Sequence, residues 1–259
     1  MLSFLKFVRY GFWFLFIVIS IATICTVSVI HNNKIPSWED IYLTEESASD
    51  NYDSEFQAAV LKSRKSSVKV HSLGLSVWGG LSTMTGTYFT ARGKHYVITA
   101  FHGIQSPCVF TSIEHLEEIV GCKEYTHVSP EDDYIIIEID EPLKNREPIS
   151  IPEDLPRGSQ WKKSYSILNN IIYTGYPNAI GPLTLRGDVI GYNENQYFYV
   201  FSHAYGGASG SGVFTKEGKY IGYIVAIDVG TTDLGQDVLE NIVIVAPALN
   251  VDWDIVLTN

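Results

Sequence analysis

Hydrophobic and polar residues follow two different patterns along this chain. Between Tyr10 and Ile30, 21 consecutive residues carry no charge. As a helix this run would be about 31 Å long, which is enough to cross a bilayer core. From Val68 onward the apolar residues form short runs, many of them alternating with polar residues and separated by Gly, Asn or Asp. The first pattern predicts a membrane-spanning helix and the second predicts β-strands.

The region after Val68 contains about eleven strand candidates, spaced by roughly ten to twenty residues. They are VKVHSLGLSVW, GTYFTA, HYVITAF, CVFTSI, DYIIIEI, NIIYTGY, LRGDVIGY, QYFYVFS, SGVFT, YIGYIVAI and NIVIVAP. This arrangement is typical of an all-β barrel or sandwich. Helix is expected just before this region and at its C-terminal end. One short helix is predicted within EFQAAVLKSRKSS (residues 55–67), and one or two turns are predicted from Val251 to Leu257.

The charges around the uncharged run predict its orientation in the membrane. Lys6 and Arg9 precede the run, whereas the following segment soon becomes acidic, so the positive-inside rule places the short N-terminus in the cytoplasm. We expect four parts in chain order: a cytoplasmic N-terminus (1–9), a membrane anchor (10–30), an acidic stalk (31–66) and a domain outside the cytoplasm (67–259). A cleaved signal peptide is the alternative, but its apolar core usually has about 7–15 residues.

Composition excludes several classes of partner. The chain has 18 basic and 29 acidic residues and a net charge of −11, which argues against binding to nucleic acid or to an anionic lipid surface. The seven histidines show no metal-ligand spacing and the three cysteines offer no metal framework, so neither a metal nor another cofactor is expected. Cys25 lies in the uncharged run, and Cys108 and Cys122 could pair in an oxidising compartment.

Three short segments carry side chains with chemical potential. The predicted strand YVITA leads almost directly into His102, whose imidazole would be held at the end of a sheet. Asp132 and Asp133 precede the apolar run of the next strand, where a carboxylate could accept the Nδ1–H of a histidine. The glycine-rich loop GGASGSG contains Ser209 and Ser211. Each segment alone also fits a structural role, as a surface histidine, a charged turn or a flexible loop.

The order His, Asp, Ser within a β-rich domain resembles that of the trypsin-like serine peptidases, in the short branch similar to HtrA and to glutamyl endopeptidases. The segment ITAFH (98–102) is similar to the TAxH motif of that family, and DYIII resembles its aspartate-bearing strand. The segment GASG (207–210) matches its G-x-S-G loop. The likeness extends loosely over residues 67–257. It implies two six-stranded antiparallel β-barrels of the chymotrypsin type, followed by a short C-terminal helix.

The resemblance also implies a role for each candidate residue. His102 would be the general base, Asp133 would orient it, and Ser209 would be the nucleophile. The backbone N–H groups of Gly207 and Ser209 would form the oxyanion hole, the site that stabilises the negatively charged oxygen of the tetrahedral intermediate. Asp132 remains an alternative to Asp133, since a shift of strand register by one residue would exchange the two aspartates. Ser211 remains an alternative to Ser209 as the nucleophile.

The substrate pocket of the family would fall at His203, Tyr205 and Ile224. His203 stands where trypsin has an aspartate, and Ile224 stands where glutamyl endopeptidases have a histidine. A preference for Arg/Lys or for Glu is therefore not implied. Ala208 replaces the aspartate that binds the new N-terminus of digestive zymogens, so activation by N-terminal insertion is not expected.

These patterns together predict a membrane-anchored serine endopeptidase that hydrolyses protein or peptide substrates outside the cytoplasm without a cofactor. The alternative function is a catalytically inactive protease-like domain that serves as an anchored binding module. Such a domain would be expected to lose one of the three residues or to fill the glycine loop. This chain keeps His102, Asp133, Ser209 and the glycines, and we therefore favour catalysis.

Topology is the first testable prediction. A reporter enzyme fused after Asn259 should be active only outside the cytoplasm, because Lys6 and Arg9 retain the N-terminus inside. Parallel fusions to a reporter that works only after export and to one that works only in the cytoplasm measure this. Activity of the cytoplasmic reporter would contradict the orientation. A mature chain that begins near residue 30 would replace the anchor by a signal peptide.

Overall fold

The computed structural model describes most of the region after the stalk, namely residues 53–74, 80–115, 118–194, 196–232 and 235–258. The predicted cytoplasmic segment (1–9), the membrane anchor (10–30) and residues 31–52 of the stalk lie outside the described residues. Within the described ranges, none of the helices has the length and apolar character needed to span a membrane.

Fourteen strands in the described part of the chain form two sheets, which confirms the all-β prediction. The first sheet contains β1 (Ser67–Leu73), β2 (Leu81–Ala91), β3 (Lys94–Ala100), β4 (Thr111–His115), β5 (Glu118–Gly121), β6 (Glu124–Ser129), β7 (Tyr134–Ile139) and β8 (Ile149–Ser150). The second contains β9 (Asn170–Gly175), β10 (Leu183–Tyr192), β11 (Phe198–Phe201), β12 (Gly212–Thr215), β13 (Tyr220–Thr232) and β14 (Gly235–Pro247). Paired strands run antiparallel, except that β8 pairs with β2 in parallel.

The second sheet is a closed barrel with the strand order β10–β11–β14–β13–β12–β9, as predicted for one of the two halves. The first sheet differs from the predicted six-stranded barrel. It has eight strands in the order β5–β4–β1–β2–β3–β7–β6, with β8 beside β2. Its end strands β5 and β6 begin at Glu118 and Glu124, and their positions are partly buried or exposed. Because this sheet has eight strands and its end strands β5 and β6 are not paired with each other in the described residues, the prediction of a six-stranded barrel is wrong for this half.

Within the described residues, three α-helices accompany the sheets: α1 (Ser54–Ser66), α2 (Gln160–Ser164) and α3 (Asp254–Thr258). The first and last correspond to the two predicted helices. The last begins later than predicted because the chain first makes a 3₁₀ turn at Ala248–Asn250. The five-residue α2 was not predicted, since it is too short to show an apolar repeat.

Helix α1 packs against the second barrel. The Asp53 carboxylate accepts a hydrogen bond from the N–H of Phe56 at 2.8 Å, which caps the first turn. Ala59 and Val60 are buried against Ile172 of β9. The end of the predicted stalk therefore contributes to the folded domain rather than only connecting it to the chain before it.

The two sheets share an apolar interface. Phe89, Ile98 and Ile136 from the first sheet form one cluster with Tyr220 and Tyr223 from the second barrel. Two other clusters fill the interiors of the first sheet and of the barrel. Strand β7 is buried along its whole length, because one face turns to the interior of its own sheet and the other to the barrel. This double burial explains its unbroken run of isoleucines.

Cys108 and Cys122 form a disulfide with their Cα atoms 5.4 Å apart, which confirms the pairing that the sequence allowed. The bond joins the loop after β3 to the turn between β5 and β6. Cys122 also packs against the core of the first sheet. Disulfides of this kind form and persist in oxidising compartments.

Removal of the disulfide should reduce stability. Replacing Cys108 and Cys122 by serine releases a loop closed across a sequence separation of 14 residues. In the chain-entropy model this lowers the free energy of unfolding by about 3 kcal/mol. Denaturant titration followed by tryptophan fluorescence measures the change. Wild type in excess reductant should unfold like the double variant. Equal stability of the two proteins under oxidising conditions would contradict the prediction.

Candidate active site

Strand pairing brings His102 and Asp133 together. Strand β3 ends at Ala100, which pairs with Tyr134 at the start of β7. The N–H of Phe101 continues the ladder by donating to the carbonyl of Asp133 at 3.1 Å. Because the end of one antiparallel strand lies beside the start of its partner, the residues just beyond this pair are placed side by side.

Asp133 holds His102 by two hydrogen bonds, one to its imidazole and one to its backbone N–H. Its Oδ2 lies 2.7 Å from Nδ1, and its Oδ1 accepts from the backbone N–H of His102 at 2.8 Å. The other ring nitrogen, Nε2, lies 3.2 Å from Oγ of Ser209. Asp132, the alternative aspartate, has its carboxylate on the hydroxyl of Ser129 at 3.0 Å instead. The structure therefore brings His102, Asp133 and Ser209 into one hydrogen-bonded series.

Asp133 adopts an unusual backbone conformation. Its φ is +54°, in the left-handed region that only a small share of non-glycine residues visit, Asp and Asn among them. The carbonyl of Asp132 accepts a 2.6 Å hydrogen bond from the hydroxyl of Tyr223, a buried residue of the second barrel. The barrel thus helps to hold the turn that directs the Asp133 carboxylate at the imidazole.

The electrostatic setting of His102 favours its protonated form. The hydrogen bond that His102 donates to the Asp133 carboxylate raises the pKa of His102 above its usual value of 6.5, and this outweighs the opposing effect of partial burial. The His102 side chain is half exposed, whereas the Asp133 side chain is only 23% exposed. A carboxylate behind the ring stabilises the imidazolium that forms when the ring takes a proton.

The two serines of the loop between β11 and β12 have different surroundings. The hydroxyl of Ser211 donates to the carbonyl of Ala208 at 2.6 Å and is fully buried. The hydroxyl of Ser209, by contrast, faces His102. Ser209 is therefore the serine of this loop that the structure brings to the imidazole.

Two glycines of the loop are required by close contacts. Gly207 has a φ of +94°, and a Cβ on it would lie 2.7 Å from the carbonyl oxygen of Tyr176. Gly210 has a φ of +84°, and a Cβ there would lie 2.1 Å from the carbonyl oxygen of Thr85. Any other residue would clash with backbone at both positions, which explains the clustered glycines.

The loop also presents two backbone donors. The carbonyl of Gly206 accepts from the N–H of Asn178 at 2.6 Å, and the carbonyl of Ala208 accepts from the N–H of Ser211 at 3.0 Å. In a trans peptide the N–H points opposite to the C=O, so the N–H groups of Gly207 and Ser209 point away from those partners. Among the described residues, no hydrogen bond uses either N–H. Neither N–H therefore has an acceptor within the described part of the chain.

The three predicted pocket residues have different surroundings. His203 is exposed and lines a cleft of about 470 Å³ on the second barrel, together with Arg186 and Asp188. Tyr205 is 48% exposed and does not line that cleft. Ile224 is only 1% exposed and belongs to the barrel core, because it occupies an inward position of β13. Ile224 therefore offers almost no surface to a ligand here.

Clusters of side chains that could hold a metal ion were sought in the described ranges of the chain. No group of three or more His, Cys, Asp or Glu side chains lies close enough there to hold a metal ion. The groups that the site presents are the hydroxyl of Ser209, the imidazole of His102 and the carboxylate of Asp133.

No protein-family model matches the sequence, and no curated protein matches it either. Solved structures do resemble the chain. The serine endoprotease from Yersinia pestis superimposes with a TM-score of 0.57 at 16% identity, covering 76% of this chain and 64% of its own. The HtrA-type protease AlgW with a tripeptide gives a TM-score of 0.59 at 18% identity, covering 78% of this chain and 63% of its own.

The fold is that of the trypsin-like serine proteases. This confirms, as a likeness of fold, the HtrA-like resemblance inferred from the sequence. At this level of identity the likeness concerns the fold alone, and the chain spans less than two thirds of the length of both relatives.

Two residues around the site of this trypsin-like fold were missed by reasoning from the sequence. Tyr223 holds the turn before Asp133, and Thr85 of β2 donates its backbone N–H to the carbonyl of Ser209 at 3.0 Å. Both lie inside ordinary strand patterns, and their partners are more than 90 positions away in the chain. Only the strand register and the packing of the two sheets reveal them.

The raised pKa of His102 gives a prediction that does not depend on activity. Histidine ring resonances followed by NMR should show His102 titrating above pH 6.5. In Asp133→Asn the midpoint should fall, because the carboxylate that favours the imidazolium is gone. Asp132→Asn is the matched control and should leave the midpoint in place, since that carboxylate binds Ser129. A midpoint that moves in Asp132→Asn and stays in Asp133→Asn would contradict the assignment.

Proposed function

We propose that this chain is a serine endopeptidase that uses Ser209 as nucleophile, His102 as general base and Asp133 as the orienting acid. The observation that carries the proposal is the hydrogen-bonded series from Asp133 through His102 to Ser209, with separations of 2.7 and 3.2 Å. Such distances are within the reach that proton transfer requires, and free enzymes often show looser ones.

The first half of the reaction forms an acyl-enzyme. Neutral His102 donates its Nδ1–H to Asp133 and accepts the proton of the Ser209 hydroxyl at Nε2, while Oγ attacks the substrate carbonyl carbon. The carbonyl π electrons move to oxygen and give a tetrahedral oxyanion. Its collapse breaks the C–N bond, and the imidazolium of His102 returns the proton to the leaving amine. A water molecule then repeats the sequence on the Ser209 ester, which frees the carboxylic acid and restores the hydroxyl.

The N–H groups of Gly207 and Ser209 stabilise the oxyanion in both halves of the reaction. Each such donor typically contributes about 3–4 kcal/mol to the transition state. Their lack of an acceptor within the described residues supports this role, because a fixed donor that is already oriented needs no rearrangement during the reaction.

The substrates we propose are proteins or peptides. AlgW, a relative in fold, carries a tripeptide in its structure. Binding by a catalytically inactive domain is the competing function. Three side chains within hydrogen-bonding reach and a glycine loop with two free donors support catalysis over that alternative.

The location we propose is outside the cytoplasm, with residues 10–30 as the membrane anchor. The uncharged run and the upstream Lys6 and Arg9 support this. The Cys108–Cys122 disulfide supports it independently, because such bonds persist in oxidising compartments.

An active-serine probe tests the function. A fluorophosphonate should label the wild-type chain covalently at Ser209, because only a serine activated by a base reacts rapidly with it. Ser209→Ala should abolish labelling. Ser211→Ala should still be labelled, since the Ser211 hydroxyl is buried and bonded to Ala208. Peptide mapping by mass spectrometry identifies the modified residue. An unlabelled wild type, or a label that persists in Ser209→Ala, would refute the proposal.

A further inference from the structure

Thr85 connects the first sheet to the nucleophile loop of the barrel. It lies in β2 and is fully buried. Its N–H donates to the carbonyl of Ser209 at 3.0 Å, and its Oγ1 donates to the carbonyl of Gly207 at 2.7 Å. The same Oγ1 accepts from the N–H of Tyr176 at 2.9 Å. Its own carbonyl accepts from the hydroxyl of Thr99 at 2.6 Å.

The two bonds of the Thr85 hydroxyl act on both sides of Gly207. The bond to the Gly207 carbonyl holds the peptide group that follows this glycine. The bond from Tyr176 holds the start of a turn, and Asn178 in that turn donates its N–H to the carbonyl of Gly206 at 2.6 Å. The Gly206 carbonyl belongs to the peptide group that carries the N–H of Gly207. One hydroxyl therefore supports both peptide groups that flank Gly207.

These peptide groups need support because the local sequence does not favour a single conformation for them. Gly207 lacks a Cβ and has access to many backbone conformations. Asn178 and Ala179, in the supporting turn, have φ values of +50° and +58°, which are uncommon for residues other than glycine. Rotation of the peptide between Gly206 and Gly207 would replace the N–H by a carbonyl oxygen and would repel an oxyanion.

We infer that Thr85 is a positioning residue for the oxyanion hole, acting through its hydroxyl. It keeps the Gly207 N–H directed into the site by fixing the peptide groups on both sides of that glycine. The inference rests on the proposed function. It adds a residue of the first sheet, far from the loop in sequence, to the machinery that stabilises the transition state.

The variants Thr85→Val and Thr85→Ser distinguish the effect of the hydroxyl from the effect of the side-chain shape. Valine keeps the branched shape and the backbone N–H bond to Ser209 but removes both bonds of the hydroxyl, whereas serine keeps the hydroxyl. With p-nitrophenyl acetate as the acyl donor, Thr85→Val should lower kcat by about 10- to 100-fold while KM stays within about threefold, because an interaction made only in the transition state is weakened. Thr85→Ser should stay within about threefold of the wild-type kcat.

A merely structural role for Thr85 would give a different result. Thr111→Val is the matched control, since it removes another buried threonine hydroxyl, bonded to Tyr125 at 2.6 Å, away from the nucleophile loop. It should lower thermal stability without changing kcat. The acidic limb of the pH profile should be the same in Thr85→Val and wild type, because His102 and Asp133 are untouched.

The inference is overturned by a wild-type kcat in Thr85→Val, by an equal loss in Thr85→Ser, or by a change confined to KM. Fluorophosphonate labelling separates this failure from that of the proposed function. A labelled wild type with an unaffected Thr85→Val refutes only the role of Thr85, whereas an unlabelled wild type refutes both. If Thr85→Val does not fold, hydrogen exchange of backbone amides in the wild type replaces that test. The Tyr176 N–H should exchange slowly because it donates to the Thr85 hydroxyl, and fast exchange overturns the inference.

Discussion

The site depends on the apolar interface between the first sheet and the second barrel. His102 and Asp133 come from the first sheet, and Ser209 comes from a loop of the barrel. Neither half contains all three groups, so the distance between Nε2 and Oγ is set by how the sheets pack. Phe89 and Tyr223 belong to the cluster that fills this interface, and aromatic residues bury large areas there. Close packing leaves little freedom for the halves to slide.

Hydrogen bonds across the same interface fix the positions of the site residues that the apolar packing brings close together. Thr85 binds the nucleophile loop from the first sheet, and Tyr223 binds the turn before Asp133 from the barrel. Each half therefore positions a reactive element of the other. Buried hydrogen bonds of this kind are specific in direction, whereas apolar contacts are not, so they suit the placement of reactive atoms.

Several residues at the site have backbone conformations that the rest of the fold must hold in place. Asp133 has a left-handed conformation, and Gly207 and Gly210 have positive φ values. A non-glycine residue in that region costs about 1–3 kcal/mol and persists only where its surroundings determine it. The ladder bond from Phe101 to Asp133, the packing of α1 and the disulfide all add stability that can offset this cost. The loop and the turn before β7 are therefore held in shapes that isolated segments would not keep.

The sequence by itself determined the all-β class, the helix near residue 55, the three candidate side chains and the glycine loop. These features depend on local periodicity and on short motifs, which can be seen without knowing how the chain folds. It left Asp132 and Asp133 as alternatives, since one residue of strand register separates them, and register is a property of the pair β3 and β7. It also gave no indication that the first sheet stays open or that Ile224 turns into the core. Those features, and the roles of Thr85 and Tyr223, were decided by tertiary structure, because they arise from contacts between residues far apart in the chain.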